Sequence, residues 1–252
     1  AAARSRSTSS MERAGEKHVF VAEWDEEGVF FYQAFNKQIA KWAVKEQRFG
    51  GPHFKPDRMT WIKPSLAWVL YRAGYGFKDA NQERILKIKV PHTAVAEILS
   101  HCSCGHGGGG TVGRVQWDPA RCLLVGRAGE PAKHTEQRAI QIGMKDELSR
   151  FYVENALSIE DVTAVAHCIA KAHEAGEMEM DVPLPMERPY FPRCTEEVYS
   201  RLQLCEQYTG PEPSGGCFVC TDSAGCGEAE SPLVSVQQVP RSKRHFDIDG
   251  KS

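Results

Sequence analysis

No stretch of this sequence carries the ~20 consecutive apolar residues that a helix needs to cross a bilayer, so no membrane-spanning helix and no membrane partner are expected. An excess of one charge is lacking too. The 31 Lys+Arg stand against 33 Asp+Glu for a net charge of −2, which removes any argument for wholesale nucleic-acid coating. The 22 Gly and 14 Pro are not periodic, which excludes a collagen-like chain. Nine cysteines are an odd number with no secretory apolar segment before them. A disulfide framework is therefore not expected, and reduced thiols in the cytoplasm or nucleus are. Walker loop, His-Glu-x-x-His pair and Gly-x-Ser-x-Gly elbow are all missing, so the motif-borne chemistries of those sites have no support here.

What is present is segregated charge. From Asn36 to Arg72 eight basic residues face two acids, a net of +6, and from Lys145 to Asp181 nine acids face three bases, a net of −6. The first segment would draw an anionic ligand such as a nucleotide; two solvated helix faces are the plainer account. Residues 1–17 read as an extension without a fold and 18–207 as a single α+β domain. Residues 208–252, rich in Gly, Pro, Ser and Glu, read as a disordered tail. The His101-Cys102-Ser103-Cys104-Gly105-His106 run and the Cys217/Cys220 pair hold metal-ligand types. One is compressed into six residues and the other lies in the tail, so no metal is expected.

Periodicity places strands at His18–Trp24, Gly28–Phe35, Arg58–Lys63, Arg84–Val90, Val112–Trp117, Cys122–Val125 and Gln137–Gly143. Helices follow Asn36 to about Arg48, then Leu66–Ala73, Thr93–Ser100, Lys145–Asn155, and Ser158 to about Ala175 behind a Ser158/Asp161 capping pair. Asp118-Pro119 should stop a strand. Strands with interspersed helices and two late helices point to α+β rather than a regular βαβ wind.

The densest candidate segment is Arg58-Met-Thr-Trp61-Ile-Lys63-Pro-Ser65-Leu-Ala-Trp68-Val-Leu-Tyr71-Arg72. Its strand runs into a helix whose first-turn amides lie beside Ser65, with Lys63 close by, a fair phosphate site. Core aromatics and cations paired to acids are the competing account. Tyr32 and Gln33 end a strand on opposite faces, so the polar end that faces inward needs a partner, which a ligand or a sheet edge could supply. Gln141 alternates with Ile140 and Ile142, so it faces either a cleft or solvent. Val115-Gln116-Trp117-Asp118-Pro119, at the end of its strand, reads as structural.

Phe31-Tyr-Gln-Ala-Phe35, Arg58-Met-Thr-Trp-Ile-Lys-Pro-Ser65, Gln116-Trp-Asp-Pro119 and Arg138-Ala-Ile-Gln-Ile-Gly143 resemble the signature blocks of an uncharacterised family. That family is the domain of unknown function numbered four thousand two hundred and ninety-one, and the resemblance covers about His18 to His173. More distantly, the blocks are similar in order to those of ADP-ribosyltransferase-like proteins: an aromatic-plus-polar strand end at Tyr32-Gln33, a strand leading to Ser65 and an apolar helix, and a late strand bearing Gln141. The likeness implies a split mixed sheet with flanking helices and NAD as cofactor. It implies a transferase acting on an RNA or protein acceptor. Tyr32 and Gln33 would hold the base or amide, and Arg58, Lys63 and Ser65 the phosphates. Trp61 or Tyr71 would form a stacking wall, and Gln141, with Arg58, would act at the ribose. Gln33 stands where such families place His or Arg. Gln141, where they place Glu, can bind a hydroxyl but brings no negative charge. A non-catalytic nucleotide- or RNA-binding module is the alternative, with Lys37, Lys41, Lys45 and Arg48 tracking phosphates and aromatics stacking bases.

Overall fold

Asp25 accepts from the amides of Glu27 and Gly28 at 3.0 and 3.1 Å, a turn that sends the chain from β1 (Val21–Ala22) into β2 (Gly28–Phe35). A Cβ at Gly28 would stand 2.3 Å from the Val90 carbonyl oxygen, so only glycine lets the strands close here. The computed structural model describes residues 16–105, 112–127, 130–177 and 182–209. The expectations for residues 1–15, for His106 and for the tail from 210 onward lie outside these.

Two sheets carry the fold. One is antiparallel, in the order β2–β4–β8, with β4 at Arg84–Pro91 and β8 at Ser158–Asp161. The other has the order β3–β7–β6–β5, with β3 at Thr60–Ile62, β5 at Cys102–Cys104, β6 at Gly113–Arg127 and β7 at Glu130–Met144. It is mixed, because β5 runs parallel to β6 while the other pairs are antiparallel. A bridge between Tyr32 and Lys63 joins the sheets, the Tyr32 amide donating to the Lys63 carbonyl at 2.7 Å. Strand β9 (Arg188–Pro189) pairs with β1. The architecture is α+β.

Helix α1 (Lys37–Glu46) starts where Asn36 accepts from the Ile39 amide at 2.9 Å, and α2 (Leu66–Ala73) ends at Gly74, whose φ of 53° suits a residue without Cβ. Helices α3 (His92–Ser100), α4 (Asp146–Glu154), α5 (Thr163–Ala175) and α6 (Glu196–Arg201) complete the set. One core lies between the β2–β4–β8 sheet, α3 and α4, and a second lies beneath α2 and α5, where Leu66, Leu70, Ile85, Leu123 and Ile169 meet.

Three expectations are corrected. Residues 158–161 form β8 instead of opening the last helix, because Ile159 is buried opposite Ile88 in the sheet, and Asp161 accepts from the Thr163 amide at 2.9 Å. Strand β6 passes through Asp118-Pro119 without stopping. Pro119 offers no N–H, and the ladder shifts register between Pro119 and Arg121, so the missing bond falls at an irregularity. Cys102, Cys168, Cys194 and Cys205 are free thiols whereas Cys122 is disulfide-bonded, so the expectation of reduced thiols fails at Cys122. No helix of the described residues is long and apolar enough to cross a membrane.

Gln33 ties three elements together. Its Nε2 donates to the Trp61 carbonyl at 3.0 Å, and the hydroxyl of Tyr152, from α4, donates to its Oε1 at 2.7 Å. Tyr152→Phe leaves a buried amide oxygen without that donor. Urea denaturation should show a loss of about 1–3 kcal/mol at an unchanged m-value.

Candidate functional site

The site begins at Trp61. In the β3–β7 register Trp61 stands opposite Gly143, and a Cβ there would lie 2.8 Å from two atoms of the indole. Glycine thus lets the ring lie across β7. Lys63 follows in the chain, its carbonyl taken by Tyr32 and its Nζ donating to the Trp61 carbonyl at 3.3 Å. Ser65 then caps α2, its Oγ accepting from the Trp68 amide at 3.4 Å. Leu66, Leu70 and Ala73 turn into the core, and Trp68, Tyr71 and Arg72, at i, i+3 and i+4, line a cavity.

The opposite wall is the β6–β7 hairpin. Gln116 and Gln141 face each other across it, and Asp118 is two residues along the same face. The Gln141 amide donates to Gln116 Oε1 at 3.0 Å and also to Asp118 Oδ2. Arg121 would point the other way in an unbroken strand, but the register shift after Pro119 returns it to this side. Its guanidinium lies 3.4 Å from the centre of the Tyr71 ring and donates to the Pro131 carbonyl at 3.0 Å, with Glu130 at 3.4 Å. Lys133, Gln82 and Pro119 complete a cavity of about 630 Å³.

Four cations, Lys63, Arg72, Arg121 and Lys133, face this space against one carboxylate, Asp118. Lys63 Nζ and the Arg72 guanidinium lie 5.3 and 5.6 Å from the Trp68 ring centre. Burial lowers the Lys63 ammonium to about 8, the nearby Arg72 charge adds to this, and Asp118 opposes it. Behind the cavity, Glu187 accepts from the Leu66 amide at 2.9 Å. Burial pushes the Glu187 carboxyl up to about 8, against the pull of that amide and with help from Glu23.

Of the residues singled out from the sequence, the structure brings Trp61, Lys63, Tyr71 and Gln141 together around the cavity. The others lie elsewhere. Tyr32 is buried, with its hydroxyl donating to Glu23 Oε2 at 3.0 Å, and Gln33 is spent on Trp61 and Tyr152, so neither is free to hold a base. Ser65 is a buried cap, and its helix N-terminus is closed by Glu187 rather than open to a phosphate. Arg58 is exposed and outside the lining. Gln116 and Asp118, read as structural, are lining residues, and Arg121, Lys133 and Gln82 were not among the expected site residues. The period-two spacing of Gln116 and Asp118 was the available signal. Among the described residues no group of three or more His, Cys, Asp or Glu side chains is placed to hold a metal.

The class defined is an α+β protein whose two sheets join beside a cationic, aromatic- and amide-lined cavity. A family model described as a domain of unknown function (DUF4291) matches residues 19–190, and the chain belongs to that family. Every lining residue falls inside the matched range. Comparison with curated proteins gave no match.

Two outcomes test this geometry. Gly143→Ala drives a methyl into Trp61 and should cost about 1–3 kcal/mol, with a changed near-ultraviolet signal from the displaced indole. Glu187 has a folded-state pKa of about 8, above its ordinary 4.5, so the folded state holds the extra proton. The stabilisation is complete below about pH 4.5 and is lost as pH rises towards 8. Glu187→Gln, which cannot ionise, should flatten that decline in chemical denaturation followed from pH 5 to 8.

Proposed function

We propose that the cavity binds NAD or a closely related nucleotide and that the protein transfers its ADP-ribosyl part to an acceptor, an RNA or a protein, with release of nicotinamide, on an architecture similar to ADP-ribosyltransferases. The observation that carries this is the convergence of three aromatic rings, three side-chain amides, four cations and one carboxylate on a single cavity of about 630 Å³. That volume lies in the range of about 300–1,000 Å³ typical of small-molecule and cofactor sites. The two sheets, joined at the Tyr32–Lys63 bridge, support the architectural half of the reading.

The roles shift from those expected. Trp61 and Tyr71 remain the stacking walls, and Lys63 remains a phosphate contact. The amides of Gln82 and Gln116 take over recognition of the base from Tyr32 and Gln33. Gln141 faces the ribose, and the negative charge that it lacks stands beside it on Asp118. Loss of nicotinamide from NAD leaves positive charge on the ribose, which a fixed carboxylate stabilises.

A binding module without catalysis is the second reading. It is favoured by the exposed side chains of Lys37, Lys41 and Lys45 along α1 and of Arg48 just beyond its end, none of which lines the cavity. Calorimetric titration with NAD at low salt separates the two. Saturable heat, with nicotinamide release reduced about 10²-fold or more by Asp118→Asn and affinity changed only a few-fold, supports the transferase. No heat with NAD, but RNA binding that falls steeply with salt and with Lys41→Ala plus Lys45→Ala, supports the module.

A further inference from the structure

Lys63 and Arg72 are two cations set over the same indole, close enough that the Arg72 charge is the second cause of the weakened Lys63 ammonium. Lys63 reaches one protein acceptor, the Trp61 carbonyl at 3.3 Å, and among the described residues neither cation has an ion-pair partner within 4 Å. Arg121 differs, since its charge already meets Glu130, the Pro131 carbonyl and the Tyr71 ring. Two like charges that line one cavity repel each other, and an anion bound against both relieves that repulsion. The helix N-terminus that could have taken a phosphate is occupied by Glu187, which leaves this pair to do so.

We propose that Lys63 and Arg72 form an anion clamp for one phosphate group of the ligand, and that filling the clamp loads a proton onto Lys63. The second half rests on what faces that ammonium. Beyond its burial, Arg72 from α2 repels it and Asp118 from β6 attracts it, while Arg121 from β6 and Lys133 from β7 face the same cavity. With the Lys63 ammonium lowered to about 8, a part of these side chains is neutral in mildly alkaline solution, and a phosphate beside it restores the charge. Binding then weakens as pH rises through 8, because the ligand must bring a proton that becomes scarcer. The proposal deepens the nucleotide reading but does not need NAD as the ligand.

The test uses the full chain and two probes, inorganic pyrophosphate and NAD, titrated calorimetrically at pH 7 and pH 9 in buffers of different ionisation enthalpy. Each probe is run on wild type, Lys63→Met and Arg72→Ala. Pyrophosphate affinity should fall about tenfold or more in each variant, as expected for losing one charge-assisted contact. Proton uptake in wild type should be larger at pH 9 than at pH 7, and that Lys63 contribution should be absent in Lys63→Met. Ionisation of the probe itself is common to both proteins and cancels in that comparison. Arg72 is exposed, so Arg72→Ala keeps the test open if Lys63→Met fails to fold. Pyrophosphate bound as described with no NAD binding would keep the clamp and sink the NAD reading. NAD bound equally well by all three proteins, with no proton uptake, would overturn the clamp and leave the NAD reading standing. Failure of wild type to bind either probe overturns both.

Discussion

Everything in the site hangs on the join at residues 61–63, where two sheets meet through a single backbone bridge. The Tyr32 amide donates to the Lys63 carbonyl at 2.7 Å, and the Gln33 side chain donates to the Trp61 carbonyl at 3.0 Å. Together they fix where β3 ends, and so where Pro64 and Ser65 turn the chain into α2. The rings of Trp61, Trp68 and Tyr71 take their places from that turn. Because Gln33 is in turn held by Tyr152 of α4, the bonds that position the cavity are rooted in the core rather than on its surface.

The start of α2 shows how the same physics can be answered from within the protein. Free amides at a helix N-terminus attract negative charge, and a sequence with Lys63 and Ser65 beside them invites a phosphate. Glu187, 121 residues further along the chain, answers the Leu66 amide instead. Burial makes this carboxyl hold its proton. The helix end is therefore met by a nearly neutral group from within the protein, and the Leu66 amide is already taken.

How far the sequence could be read follows from the range of the forces involved. Strand β2 and helix α2 were placed to the residue, and β4 and α1 nearly so, because alternation, the Asn36 and Ser65 caps and Gly74 act within a few residues. Residues 158–161 were misread because the pull of Ile88 on Ile159 comes from another strand, and no local spacing records it. The site divides in the same way. Trp61, Lys63, Trp68, Tyr71 and Arg72 lie within one short segment and were found as a group. Arg121 was missed because a proline-linked register shift decides the face it takes, and Asp118 because the Asp-Pro pair was read as the end of a strand. Tyr32 and Gln33 were assigned to a ligand because their actual partners, Glu23 and Tyr152, could not be inferred from spacing.

The back of β6 explains why the cavity wall is stiff. Gln116 and Asp118 face the cavity, so Val115 and Trp117 must face away. Val115 is fully buried, and the Trp117 indole donates to the Leu202 carbonyl at 3.0 Å and packs 4.9 Å from the His18 ring. His18 is itself bound on both sides, its amide to the Gln203 carbonyl at 2.7 Å and its carbonyl to the Cys205 amide at 2.9 Å. Residues 202–205 lie beyond the family-matched range, and His18 lies just before it. The two ends of the described chain therefore meet behind the strand that carries Asp118. This clasp fixes the rotation of β6, so the distance between the carboxylate on β6 and the cations on α2 is set by segments that never touch the cavity.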